Sequence, residues 1–208
     1  MKILSIIFWV LITTSLFSQT RTHDTTPTKY QLDSLKTELG TLFMKDQTFR
    51  RIFKEAEKKL GKESEAYAYF WEVVEAQDKI IEKDVSNIID KYGWLGISQI
   101  GRLANTTLWV VIQHGSVTTK EKYAPLLKAS VLKGESQGIH YARLIDRMLI
   151  NSNQPQLYGT QYTTDNPPVF FDIEEPELIN QRRQELGLNS IQEYAQSINI
   201  VWTVKQKQ

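Results

Sequence analysis

The stretch from Ser64 to Gly93 constrains the fold more than any other part of the chain. Phe70, Val74, Ile81, Val85, Ile88, Ile89 and Tyr92 recur there at spacings of three, four and seven. That repeat sets apolar side chains on one face of an α-helix. It predicts a helix over residues 64–92, stopped by Gly93, whose apolar face other helices must cover. Asp78 falls inside the stripe, one turn after Val74. A carboxylate there needs a partner or a function, because burying it unpaired is costly.

The rest of the chain supplies the covering helices. Leu32, Leu35, Leu39, Leu42 and Phe43 mark one, and Phe49, Ile52, Phe53, Ala56 and Leu60 mark a second helix or a bent continuation ending at Gly61. Leu108, Trp109, Val110, Val111 and Ile112 point all round a helix, so this run is buried on every side. Periodicity leaves helix and strand both open at 108–112, and the helical neighbours favour helix. Thr119 opens a further helix to Leu132, and another covers roughly 137–150, with Arg143 and Arg147 on its solvated side. LYGTQY and VFFDI are short and β-prone, which predicts a small hairpin or an extended arm near 156–173. Within an extended arm, parity puts Gln161 on the inward side with Leu157 and Gly159. The tail returns to helix, and Ser190-x-x-Glu193 reads as a capping box. The fold class is mainly α, one multi-helix domain over residues 28–208.

The N-terminus is different material. MKILSIIFWVLITTSLFS has one charge, Lys2, then an apolar run too short to span a bilayer comfortably, then small polar residues. Residues 1–18 read as a signal peptide and 19–27 as a polar linker. The expected location is therefore exported, periplasmic or secreted, with no stable membrane anchor after cleavage. There is no cysteine, so the domain relies on its core and not on disulfides. Residues 19–208 hold 24 basic and 24 acidic residues, a balance that favours no polyanion, and no nucleic-acid partner is expected.

Familiar chemistry is thinly represented. The histidines are His23, His114 and His140, without HxH or HExxH spacing, so neither a metal nor a cofactor is expected. No GxSxG elbow or phosphate-binding glycine loop occurs. What remains is a dispersed polar set: Asp46, Gln47, Arg50, Asp78, Gln113, His114, Asp146, Arg147, Tyr158 and Gln161. His114 ends an apolar helix, and histidine is the side chain suited to proton transfer near neutral pH. If catalysis occurs, His114 with Asp146 is the leading pair, with Asp46 and Asp78 as other carboxylate partners.

The order DQxxR (46–50), Asp78, YGW (92–94), QH (113–114), DR (146–147) and YGTQ (158–161) resembles an uncharacterised bacterial domain-of-unknown-function family across roughly residues 30–200. The resemblance implies a mostly helical domain and supplies no activity, substrate or cofactor. The resemblance implies a proline after GW, where this chain has Leu95.

Three readings of the polar set follow. It forms a site for a small polar ligand, sugar or peptide, since amide side chains both donate and accept. Or it is a buried hydrogen-bond lock in a structural or interaction domain. Or it serves a metal-independent hydrolase using His114. The sequence names no protein partner.

Overall fold

The computed structural model describes residues 26–207. The expected signal peptide and most of the expected linker lie outside the described residues. Seven α-helices follow in order: α1 Lys29–Leu60, α2 Glu65–Tyr92, α3 Ile97–His114, α4 Val117–Leu132, α5 Gly138–Asn151, α6 Ile179–Glu185 and α7 Ile191–Ser197. A 3-10 turn at Pro176–Leu178 leads into α6. No described helix is long and apolar enough to cross a membrane.

Local signals set most boundaries. Thr28 caps α1 in a reciprocal box with Gln31, Ser64 caps α2, and Gly93 closes α2 at a positive φ of 77°. The box at Ser190 and Glu193 forms with both bonds present. At α4 the cap is Ser116, three residues ahead of the expected Thr119. The Ser116 hydroxyl accepts from the Thr119 N–H, and both hydroxyls also bond Glu82. The two apolar segments expected before Gly61 are one helix of 32 residues. Gly40 lies inside it, with open space where a side chain would be, so its cost is only the entropic one of about 1 kcal/mol.

α3 is the central element. It packs against α1, α2, α4 and α5, and Leu108, Trp109, Val110, Val111 and Ile112 are all buried in it. This settles 108–112 as helix. The helical conformation breaks once, at Gly101. The GW turn before α3 is held by Asn105, whose side-chain amide donates to the Leu95 carbonyl at 2.9 Å. Leu95 itself is buried, so it joins the apolar core at this turn.

Of the two forms expected near 156–173, a hairpin or an extended arm, the hairpin is not seen. Among the described residues no strand forms, and this loop carries two isolated bridges, Gln156 with Ile173 and Tyr162 with Phe170. The expected alternation along the arm is also absent. Gln156, Tyr158, Gly159 and Thr160 are buried, while Gln161 is half-buried. A hairpin would satisfy this backbone with a ladder. Here four backbone bonds pair Gln156, Gln161 and Thr163 with residues 169–174, and side chains bond the backbone between Gln156 and Gln161.

Candidate functional site

Buried loop backbone must find hydrogen-bond partners, and residues 156–161 find them on every side. The Asp146 carboxylate, on α5 and fully buried, accepts from the N–H groups of Leu157, Tyr158 and Thr160 at 2.8–3.0 Å. It also accepts from the Thr160 hydroxyl at 2.8 Å. Carbonyls of the same stretch point to α6: Arg182 Nε donates to Leu157 at 2.8 Å and Arg183 donates to Tyr158 at 2.6 Å. Gln156 closes the ends of the loop. Its amide donates to the Gln161 and Phe171 carbonyls and accepts from the Gln161 N–H. Gly159 sits at φ 67°, where an added Cβ would lie 2.8 Å from Ile191 and 2.9 Å from Ile179. The loop's own geometry thus accounts for Gln156 and Gly159.

Asp146 thus has its acceptor positions filled by the loop. Burial pushes its carboxyl above the ordinary aspartate range, and the four donors pull in the opposite direction. Tyr158 lies edge-on to Tyr141, and its hydroxyl is pushed up to about 12 by burial, with Tyr141 and Asp146 adding to the effect.

A second network joins α1, α2 and α3. Asp46, buried on α1, accepts from Gln47 at 2.6 Å and Arg50 at 3.3 Å. Arg50 reaches across to Asp78 on α2, at 3.0 Å for one of two parallel bonds, so the carboxylate within the apolar stripe has its partner. His114 Nδ1 donates to the Asp46 carboxylate at 2.9 Å. In the uncharged ring this leaves the lone pair on Nε2, which makes no hydrogen bond among the described residues.

Of the ten residues expected to form one site, Gln113, His114, Arg147 and Gln161 line a common cleft of about 310 Å³. Its wall continues through Arg143 on α5, Tyr194 on α7, and Thr160 and Tyr162 of the loop. Trp109 and Val110 of α3 complete it. Arg147 Nε donates to the Gln161 side chain at 2.8 Å, tying α5 to the loop across the cleft. Asp46, Gln47, Arg50 and Asp78 stand behind His114. Asp146 and Tyr158 belong to the loop clasp. From the sequence Arg143 reads as solvated and Trp109 as core, and neither Tyr194 nor Arg183 stands out as a site residue. The usable signal was the i,i+4 pair Arg143 and Arg147, which share one helix face.

A family model described as "Family of unknown function (DUF6624)" matches residues 33–207. The chain belongs to the DUF6624 family. No curated protein and no solved structure matches it. Among the described residues of this DUF6624 chain, no group of three or more His, Asp or Glu side chains could hold a metal ion.

A buried titrating group packs against Trp109 of the cleft wall. His140 stacks flat on Trp109 with ring centroids 4.0 Å apart, and burial, then Arg143 and Arg102, lowers its pKa to about 4. The folded ring therefore releases its proton more readily than the unfolded chain. Between about pH 6.5 and pH 4 the unfolded state binds more protons, so stability falls as pH falls through that window. This group contributes a loss of up to about 3 kcal/mol there. Urea denaturation at stepped pH should show a shallower decline in His140→Phe, which keeps the stack and removes the titration. Equal slopes in the two proteins would contradict this assignment.

Proposed function

We propose that this DUF6624 protein is an exported domain that binds a small polar ligand in the cleft at the C-terminal end of α3. The observation that carries the reading is convergence. Gln113 and His114, Arg147 and Gln161 come from three separated parts of the chain and line one cleft. Its volume lies at the lower end of the range for small-molecule sites. The export reading is supported by the N-terminal residues: Lys2, a short apolar core and a small polar end. Amides and a histidine suit a ligand that both donates and accepts, such as a saccharide or a short peptide.

The lock reading is favoured at a different place. The Asp146 and Gln156 contacts with the loop account for themselves as structure, so the lock is the frame on which the cleft is built. A hydrolytic reading is favoured by the Asp46–His114 pair. A carboxylate that orients Nδ1 leaves Nε2 as the acceptor a general base needs. If His114 acts as a base toward an ester substrate, Asp46→Asn should reduce turnover strongly while leaving KM nearly unchanged. A parallel loss in both parameters would reject that role.

The binding reading is tested by thermal shift with a panel of saccharides and short peptides. His114→Ala leaves Asp46 with Gln47 and Arg50 as partners, so it should cost no more than about 1 kcal/mol of stability. His114→Ala and Gln161→Ala should both lose the ligand-induced rise in Tm. Retention of that rise in both variants would remove the cleft as the site.

A further inference from the structure

The cleft carries cations with no carboxylate to match them. Arg143 and Arg147 lie one turn apart on α5 and both line it, and no acidic side chain lines it with them. Like charges at this spacing repel. The guanidinium of Arg143 makes no hydrogen bond or ion pair among the described residues. Arg147 uses only Nε, on Gln161, which holds the group in place and leaves both Nη groups without partners. Lys120 stands close enough to Arg147 for the two charges to act on each other, second only to burial in lowering the lysine pKa. Asp46 is taken up by Arg50, Gln47 and His114 behind the cleft wall.

Two orphaned buried atoms add a different kind of evidence. Trp109 is 9% exposed, and its indole N–H has no partner. The Gln113 side-chain oxygen is also buried and unpaired. Both residues line the cleft. An unpaired buried donor and acceptor in one place are costly unless a ligand supplies their complements. The donors call for anionic or acceptor oxygens, and the Gln113 oxygen calls for a hydroxyl or amine.

Resting on the polar-ligand reading above, we infer that the ligand of this cleft is a small soluble phosphate monoester bearing hydroxyl groups, its phosphate held by Arg143 and Arg147 and a hydroxyl by Gln113. A phosphate monoester carries close to two negative charges near neutral pH, matching two guanidinium groups, whereas a carboxylate would leave one unmatched. Phosphate also offers three oxygens, enough for both arginines and a further donor such as Trp109.

Isothermal titration of the protein with glycerol 3-phosphate, glycerol, acetate and a neutral disaccharide tests this. Glycerol 3-phosphate should bind, more weakly as salt is raised, and the Trp109 indole N–H resonance should move. Arg143→Gln and Arg147→Gln should each weaken binding by about tenfold or more. Both arginines are exposed, so these changes should leave Tm in place. Lys58→Gln with Lys62→Gln removes the same charge far from α5 in sequence and should change nothing. Phosphate binding that survives the double arginine change overturns the inference. So does capture of phosphatidic acid vesicles with no response to glycerol 3-phosphate. If only neutral saccharides bind, and Gln161→Ala abolishes it, the phosphate inference fails and the polar-ligand reading stands. If neither class binds, both fail.

Discussion

Asp146→Ala should lower the free energy of unfolding by about 3–5 kcal/mol. The carboxylate accepts from three backbone N–H groups and one hydroxyl inside the protein. Alanine would orphan all four donors, and a single unsatisfied buried donor costs about 1–3 kcal/mol. Partial water entry lowers the total below a simple sum. Burial pushes the Asp146 carboxyl upward, so its charge in the fold is not itself favourable. The native state takes up the proton at higher pH than the unfolded chain, and this group's contribution falls as pH rises through that interval. The residue is kept for the loop geometry it imposes. Asp146→Asn should also destabilise, because one side of the amide presents donors to donors. Urea denaturation measures both changes, and a shift in midpoint without a change in slope marks a stability effect. A loss below about 1 kcal/mol in Asp146→Ala would mean that the loop does not depend on this carboxylate.

Gly138→Ala should be comparably damaging, by about 3 kcal/mol. Gly138 is the first residue of α5, and a Cβ there would lie 1.9 Å from the Leu186 carbonyl oxygen and 2.9 Å from its carbon. The obstacle is backbone, so no rotamer change relieves it. α5 and the end of α6 would have to separate. Arg183 on α6 holds the Tyr158 carbonyl and the Asn189 carbonyl, so that separation would loosen the loop which frames the cleft. The same variant should therefore lose ligand response together with stability, unlike His114→Ala. A stable Gly138→Ala protein with normal Tm would contradict the close contact.

These two positions mark the boundary of what the chain's pattern reveals. The stripe ending at Tyr92, the all-round apolar run at 108–112 and the Ser190 box are local and periodic, so helices and caps could be read directly. Asp78 could be identified as needing a partner, because its setting is local, but Arg50 as that partner is a contact between separate helices. Gln156 and Arg183 could not be recognised as buried. Their types are usually exposed, and only the tertiary placement of loop carbonyls and N–H groups makes them interior. The inward parity of the arm failed for the same reason: it supposes a strand-like alternation where tertiary side chains bond the backbone from Leu157 to Thr160. Gly138 looked like an ordinary residue at the head of a helix, since the carbonyl facing it lies 48 residues away in sequence.

The cleft itself was half legible. Gln113, His114, Arg147 and Gln161 belong to the dispersed polar set read from the sequence, and all four line it. Asp46 and Asp78 belong to the same set, yet they serve the network behind His114. Arg143 was hidden because an exposed arginine on a helix is unremarkable alone. It gains meaning only beside Arg147 and the absence of an acid on the same wall.

The central claim is that these side chains form one ligand site, and nitrogen-detected side-chain NMR tests it most directly. The resonances of Trp109 Nε1, Gln113 Nε2, Arg143 Nε, Arg147 Nε and Gln161 Nε2 should move together as glycerol 3-phosphate is added, following one saturation curve. Lys133 and Gln99, which line a separate cleft beside Trp94, should stay still. Movement confined to that second cleft, or independent curves for the α3 and α5 residues, would contradict a single site at the end of α3.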